Sequence, residues 1–170
     1  MPDPMAATLK ARFGAAIRDG VEFRGETTIP VEPAALVEVC AFLRDDPSAA
    51  YDFLSDLSAV DIWPDEPRFQ VNYHLYSMTH NTRLRLKVGV RDGQAIPSVT
   101  GVWPAANWFE RETYDLFGVK FDHHPDLRRL LLPDDYLGHP MRRDAPLVIE
   151  EVEFTHNFEE VEARKPYAKE

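Results

Sequence analysis

The sequence predicts an α+β domain: a mixed or antiparallel sheet with flanking helices, continued by an extended C-terminal arm. Three observations predict it. Two stretches near the N-terminus place apolar residues at helical spacing. Two alternating stretches, joined by Thr79-His80-Asn81-Thr82, read as an antiparallel hairpin. After Gly118, prolines break every periodic segment, yet large apolar residues persist. Expected units are an α+β domain over 1–121 and a proline-interrupted arm over 122–170 that packs on a partner.

The first helix is expected from about Met5 to Arg18, with Leu9, Phe13, Ala16 and Ile17 on one face, ended by Asp19-Gly20. Short strands at Val21-Glu22-Phe23 and Thr27-Thr28-Ile29 flank a turn at Gly25. A second helix starts at Glu32-Pro33, where proline's missing N–H costs nothing. Its apolar side is Leu36, Val39, Cys40 and Leu43, and Asp45-Asp46-Pro47 closes it. The run from Tyr51 to Ile62 reads equally as helical turn or strand. Phe69, Val71, Tyr73, Leu75 and Tyr76 form one hairpin strand. In the other, Leu84, Leu86, Val88 and Val90 alternate with Arg83, Arg85 and Lys87, so one face is dry and one wet. Pro97 to Val102 is expected to add a strand.

Composition excludes several function classes. Lys and Arg number 19 against 29 Asp and Glu, giving a formal net charge of −10. Such a balance disfavours nucleic acid and unaided binding to anionic lipid. The single cysteine, Cys40, supports neither a disulfide within the chain nor four thiolates for an iron–sulfur cluster; its apolar surroundings mark it as a core thiol. None of the eight glycines forms a Gly-x-Gly-x-x-Gly loop. Met1-Pro2-Asp3-Pro4 lacks the basic start of a signal peptide, and no stretch approaches the ~18 apolar residues of a membrane span. Any membrane association is expected through a partner.

Asn107 to Arg143 carries the most information. A short helix is expected to open with Asn107 as N-cap and Glu110 completing a capping box, and to end at Gly118. Phe109, Thr113 and Leu116 make its apolar face, while Arg111, Tyr114 and Asp115 lie opposite, with an Arg111–Asp115 pair. Glu112 falls on the margin of the apolar face and needs a donor. Arg128, Arg129, Arg142 and Arg143 are the candidates, so Glu112 is expected to fix the arm onto the helix. Glu110, Glu112 and Asp115, with His123, His124 and His139, also admit a metal or acid–base reading, although their spacing matches no common ligand pattern.

The run Glu110-Arg111-Glu112-Thr113-Tyr114-Asp115-Leu116-Phe117, followed after six residues by His124, then Arg128 and Leu130-Leu131, resembles the signature of the C-subunit family of respiratory complex I. Gly118, Phe121, Pro125-Asp126-Leu127-Arg128-Arg129 and Gly138-His139-Pro140-Met141-Arg142-Arg143 extend the similarity. So do Asp56-Leu57-Ser58-Ala59-Val60-Asp61 and Trp103-Pro104-Ala105-Ala106-Asn107-Trp108.

The resemblance implies a component of a bacterial, proton-translocating NADH:quinone oxidoreductase, bound to the D-subunit that helps form the quinone site and to neighbouring peripheral-arm subunits. It implies a place on the cytoplasmic side of the inner membrane. It implies no catalytic, cofactor or metal residue in this chain, since NADH, FMN, iron–sulfur clusters and quinone belong to partner subunits. Its site residues would then be signature and contact residues. Equivalent subunits of a membrane-bound hydrogenase or of a ferredoxin-dependent relative carry the same motif; a stand-alone metal-dependent enzyme is the second alternative, and a free adaptor domain the third.

Overall fold

A computed structural model describes residues 4–145 and 154–164. Pro146, Leu147, Val148, Ile149 and Pro166, along with residues 150–153 and the rest of 165–170 in the acidic stretch beginning at Glu150, lie outside the described residues.

Helix α1 (Pro4–Phe13) is shorter than expected, because Gly14 takes a φ of 56° and the chain continues as a 3-10 turn to Ala16. Ile17 then leaves the helical path and bridges Val31. Strands β1 (Val21–Phe23) and β2 (Glu26–Pro30) form the expected hairpin around Gly25. A 3-10 turn at Pro33–Ala35 feeds α2 (Leu36–Asp45), which buries Leu36, Val39, Cys40 and Leu43. Each such side chain contributes about 1.5–3 kcal/mol, so the four-residue stripe is enough to seat the helix.

The ambiguous run after Tyr51 is a strand, β3 (Phe53–Asp61). It is settled by its neighbour: β3 pairs antiparallel with β4 (Phe69–Ser77) over almost its whole length, with one irregularity between Leu54 and Asp56. β4 and β5 (Thr82–Val90) are the expected hairpin, while β5 also pairs parallel with β2. The sheet runs β1-β2-β5-β4-β3. Its inner face supplies Ile29, Leu86, Tyr73 and Leu57 in one cross-strand row, packed against the buried sides of α1 and α2.

The strand expected over Pro97–Val102 lies earlier, as β6 (Ala95–Pro97). Residues after it turn instead, with the N–H groups of Val102 and Trp103 both donating to the Val99 carbonyl. Helix α3 (Ala106–Phe117) follows and packs on β3, and β7 (Lys120–Asp122) closes a small parallel pair with β6. A last helix, α4, spans Phe158–Arg164.

Candidate functional site

Helix α3 departs from its wheel. Two of its charged residues are fully buried, Glu110 and Asp115, and Arg111 is almost so. A helix that hides three charges must supply a partner for each, because an uncompensated buried charge costs several kcal/mol. The partners come from two directions.

Asp115 faces the returning chain. Its Oδ2 accepts the backbone N–H groups of Leu130 at 3.0 Å, Leu131 at 2.8 Å and Leu132 at 2.9 Å. Its Oδ1 accepts Arg129 Nη1 at 2.8 Å. Burial alone would raise its pKa, but the three amides and the guanidinium outweigh that and hold it below the usual carboxylate range. Arg129 then spans to the carbonyls of Tyr136 and Gly138, and the Asp115 carbonyl lies 2.8 Å from His139 Nδ1. Arg111 works beside it, donating to the carbonyls of Arg128 and Arg129 at 3.1 and 3.0 Å while its guanidinium lies over Trp108. The expected Arg111–Asp115 pair does not form, since each side chain turns to the strap instead. The face opposite the apolar one is covered by residues 128–141 of the same chain.

Further along, the Met141 N–H donates to the Leu116 carbonyl. Arg142 donates to the Phe117 carbonyl at 2.7 Å and pairs with Asp92. The Arg143 N–H meets Asp61, and Asp144 pairs with Arg68, which also holds Asp61 and Asp92. Arg68 and the N–H groups of Trp63 and Arg143 outweigh the upward push of burial and depress Asp61 to about 2. The strap is thus fastened at both ends to its own domain.

Glu112, expected to be the anchor, is half-buried and has no hydrogen-bond or ion-pair partner among the described residues. The anchor is Asp115, one turn on, because the strap crosses the other side of the helix. Arg128 is exposed and pairs with Asp126; Pro125 is exposed, and Pro140 half-buried. Gly138 holds a φ of 86° at the turn that delivers His139.

The capping box also does not form. Helix α3 begins at Ala106, so Asn107 is inside it and Glu110 is too far along to reach the N-cap. Glu110 instead enters the core. Its Oε1 accepts the Val99 N–H at 2.8 Å, and its Oε2 accepts the Ser98 hydroxyl at 2.7 Å. Its neighbour His124 accepts the Asp126 N–H at Nδ1, so the proton sits on Nε2, which lies 3.2 Å from the Asn107 carbonyl and 3.9 Å from Glu110. No Lys or Arg lies within ion-pair distance of Glu110 among the described residues, and burial pushes it up to about 7.

These carboxylates point to different places, and among the described residues no three His, Cys, Asp or Glu side chains are grouped to hold a metal ion. The donors to Glu110 and Asp115 are the protein's own amides, a hydroxyl and a guanidinium.

Gly118 ends α3 with a φ of 78°. A Cβ there would stand 2.6 Å from the His139 ring and 2.7 Å from Arg142 Nη2. Gly118→Ala is expected to cost about 2 kcal/mol or more, from the left-handed backbone and the displaced strap. A urea unfolding curve checks it; an unchanged midpoint contradicts the close fit.

The model of the family described as "Respiratory-chain NADH dehydrogenase, 30 Kd subunit" matches residues 29–151. The chain belongs to that family. The 30 Kd subunit match runs from the last residues of β2 through the whole strap, so the fastening just described lies inside it. Relatives agree along the chain. The C-subunit of NADH-quinone oxidoreductase from Roseiflexus sp. (strain RS-1) is 49% identical over 169 residues, covering 96% of this chain and 97% of that protein. The C-subunit from Geobacter metallireducens is 51% identical over 141 residues, covering 82% and 86%. The fold of a 30 Kd subunit also appears in a chain from the structure of the membrane-bound sulfane sulfur reductase, an archaeal respiratory membrane complex. That likeness has a TM-score of 0.71 at 20% identity, covering 98% of this chain and 94% of that one.

Proposed function

We propose that this chain is a peripheral-arm subunit of a proton-translocating NADH:quinone oxidoreductase, with no redox centre of its own. Its work is to hold the D-subunit, which helps form the quinone site, and neighbouring subunits in register on the cytoplasmic side of the membrane. No helix among the described residues is long and apolar enough to cross a membrane, so attachment runs through partners.

One observation carries this reading. The strap is tied down through its backbone and its arginines, and three of its large apolar side chains still face out: Leu137 is 93% exposed, Leu131 61% and Met141 55%, with Trp108 nearby on α3 at 59%. A fastened segment that presents apolar groups is built for an interface, since a free monomer gains nothing by exposing them.

Paired substitutions Leu131→Asp and Leu137→Asp leave the fastening untouched and place charges where a partner would desolvate them. Recovery of the tagged chain with the detergent-solubilised complex should fall at least tenfold. Undiminished recovery contradicts the docking role. Mass spectrometry of the wild-type complex decides the electron donor: a flavin- and NADH-binding module supports the reading, whereas a nickel–iron module favours the hydrogenase-type alternative.

A further inference from the structure

The outer face of the sheet has a composition at odds with the rest of the chain. Registers align its side chains in cross-strand rows. One row is Asp56, His74, Arg85, Thr28 and Val21; a second is Phe53, Tyr76 and Arg83, with Phe23 and Glu26 paired alongside; a third is Ser58, Asn72, Lys87 and Pro30. The helices α1 and α2 bury their apolar sides in the core on the inner face. On the outer side, Arg83, Phe53, Val21 and Phe23 are exposed, and Arg85, Lys87, His74 and Tyr76 half-buried.

Three cations, Arg83, Arg85 and Lys87, thus stand every second residue along the middle strand of a protein whose net charge is −10. Arg85 is paired with Glu26 at 2.7 Å, but neither Arg83 nor Lys87 has a carboxylate partner among the described residues. Burial and the nearby Arg85 lower the pKa of His74, so it adds no charge at neutral pH. Apolar groups rim the row at both sheet edges, Val21 and Phe23 on β1 and Phe53 on β3. Beside Arg83 and Arg85 lies a cavity of about 410 Å³, walled also by Phe53, His74 and Tyr76. With strands ~4.8 Å apart, the five-stranded face is roughly 20 Å across and roughly 30 Å along β3, β4 and β5. Taken as a full rectangle that is roughly 600 Å², and less where β1 and β2 are short, which places the face at the small end of protein interfaces.

We propose that this face is a second docking surface, distinct from the strap, and that its occupant is an acidic segment of a neighbouring protein chain carrying apolar residues beside its carboxylates. The inference rests on the reading that this chain assembles into a multisubunit complex. Carboxylates from the partner meet Arg83 and Lys87, and its apolar residues meet Phe53, Val21 and Phe23. Charge pairs of this kind set the encounter and its salt dependence. An anionic lipid surface fits less well: its evenly spread charge would also oppose Glu26 and Asp56, whereas a protein segment can set its carboxylates opposite Arg83 and Lys87 alone. The strap lies with α3, on the inner side, so the protein bridges two neighbours.

The test uses the purified intact complex. Zero-length carbodiimide coupling followed by peptide mapping should join Lys87 to an Asp or Glu of another subunit. Acetic anhydride should label Lys87 at least fivefold less than the exposed Lys120. The variant Arg83→Glu, Arg85→Glu, Lys87→Glu should be retained at least tenfold less after a moderate salt wash. The charge-preserving exchange Arg83→Lys, Arg85→Lys, Lys87→Arg should be retained as wild type. Coupling of Lys87 only within this chain or to a second copy overturns the proposal. Labelling equal to that of Lys120, or protection without any protein coupling as a lipid would give, also overturns it. Full retention of the Glu variant, or loss of the charge-preserving one, is equally fatal. A complex that holds the chain while Lys87 stays free sinks only this inference and leaves the assembly reading standing.

Discussion

Asp115→Asn should release the strap. Asparagine offers one oxygen where the carboxylate offers two, and its amide N–H₂ must then face either Arg129 or the three N–H groups of residues 130–132. Donors would confront donors in a fully buried site. Removing one side of a buried, hydrogen-bonded ion pair costs about 3–5 kcal/mol. If most of that falls on the strap alone, its open population rises about 100-fold at 1.4 kcal/mol per decade. Tryptic cleavage after Arg128 and Arg129 should accelerate to match, while the sheet unfolds at nearly its old denaturant concentration. A cleavage rate unchanged from wild type would show that Asp115 is not the fastening.

Glu110→Gln should act in the opposite sense and depend on pH. Glu110 is pushed by burial from its ordinary 4.5 to about 7. A carboxyl with a raised folded-state pKa holds its proton in the fold longer than in the unfolded chain. Its contribution to stability is therefore complete below pH 4.5, declines as the pH rises towards 7 and is gone above that. The span corresponds to about 3 kcal/mol. Glutamine keeps an acceptor for the Val99 N–H and donates to Ser98, whose hydroxyl turns to Thr100 at 2.8 Å. It carries no proton to lose. The variant should match wild type near pH 4 and gain up to about 3 kcal/mol at pH 8. Parallel stability–pH curves for the two proteins would contradict the reading. Asp61, held at about 2, titrates far below this window and does not blur it.

Two carboxylates five residues apart thus behave oppositely, and the cause is local. Asp115 receives a guanidinium and three amides from a segment that wraps around it; Glu110 receives a hydroxyl and one amide, with His124 3.9 Å away. Helical spacing sets the two about 140° apart on α3, but it does not show what each will meet there.

Much of the fold was readable in the residues. The stripe Leu36, Val39, Cys40 and Leu43 placed α2, and the alternation of β5 placed both faces of the sheet. Gly118 ended α3 as expected. The run from Phe53 to Asp61 was not readable, because its strand character comes from pairing with β4 and its own pattern is broken by the irregularity after Leu54. The β6 strand was misplaced because three residues and a turn carry too little periodicity. At the site, the idea that a carboxylate on α3 gathers the downstream arginines was right in kind, but it fell on Glu112. Wheel geometry assumed that the polar side faces water, and residues 128–141 occupy that side. The available signal was an excess: Arg111 and Asp115 opposite the apolar face, and a leucine-rich, arginine-bearing segment after a glycine stop.

Amide hydrogen exchange at Leu130, Leu131 and Leu132, measured on the full chain before and after assembly, tests most directly whether the strap is built by its own domain. Slow exchange in the unassembled chain, changing little on assembly, is the predicted result. Free exchange until a partner binds would mean that the neighbour, not Asp115, folds the strap.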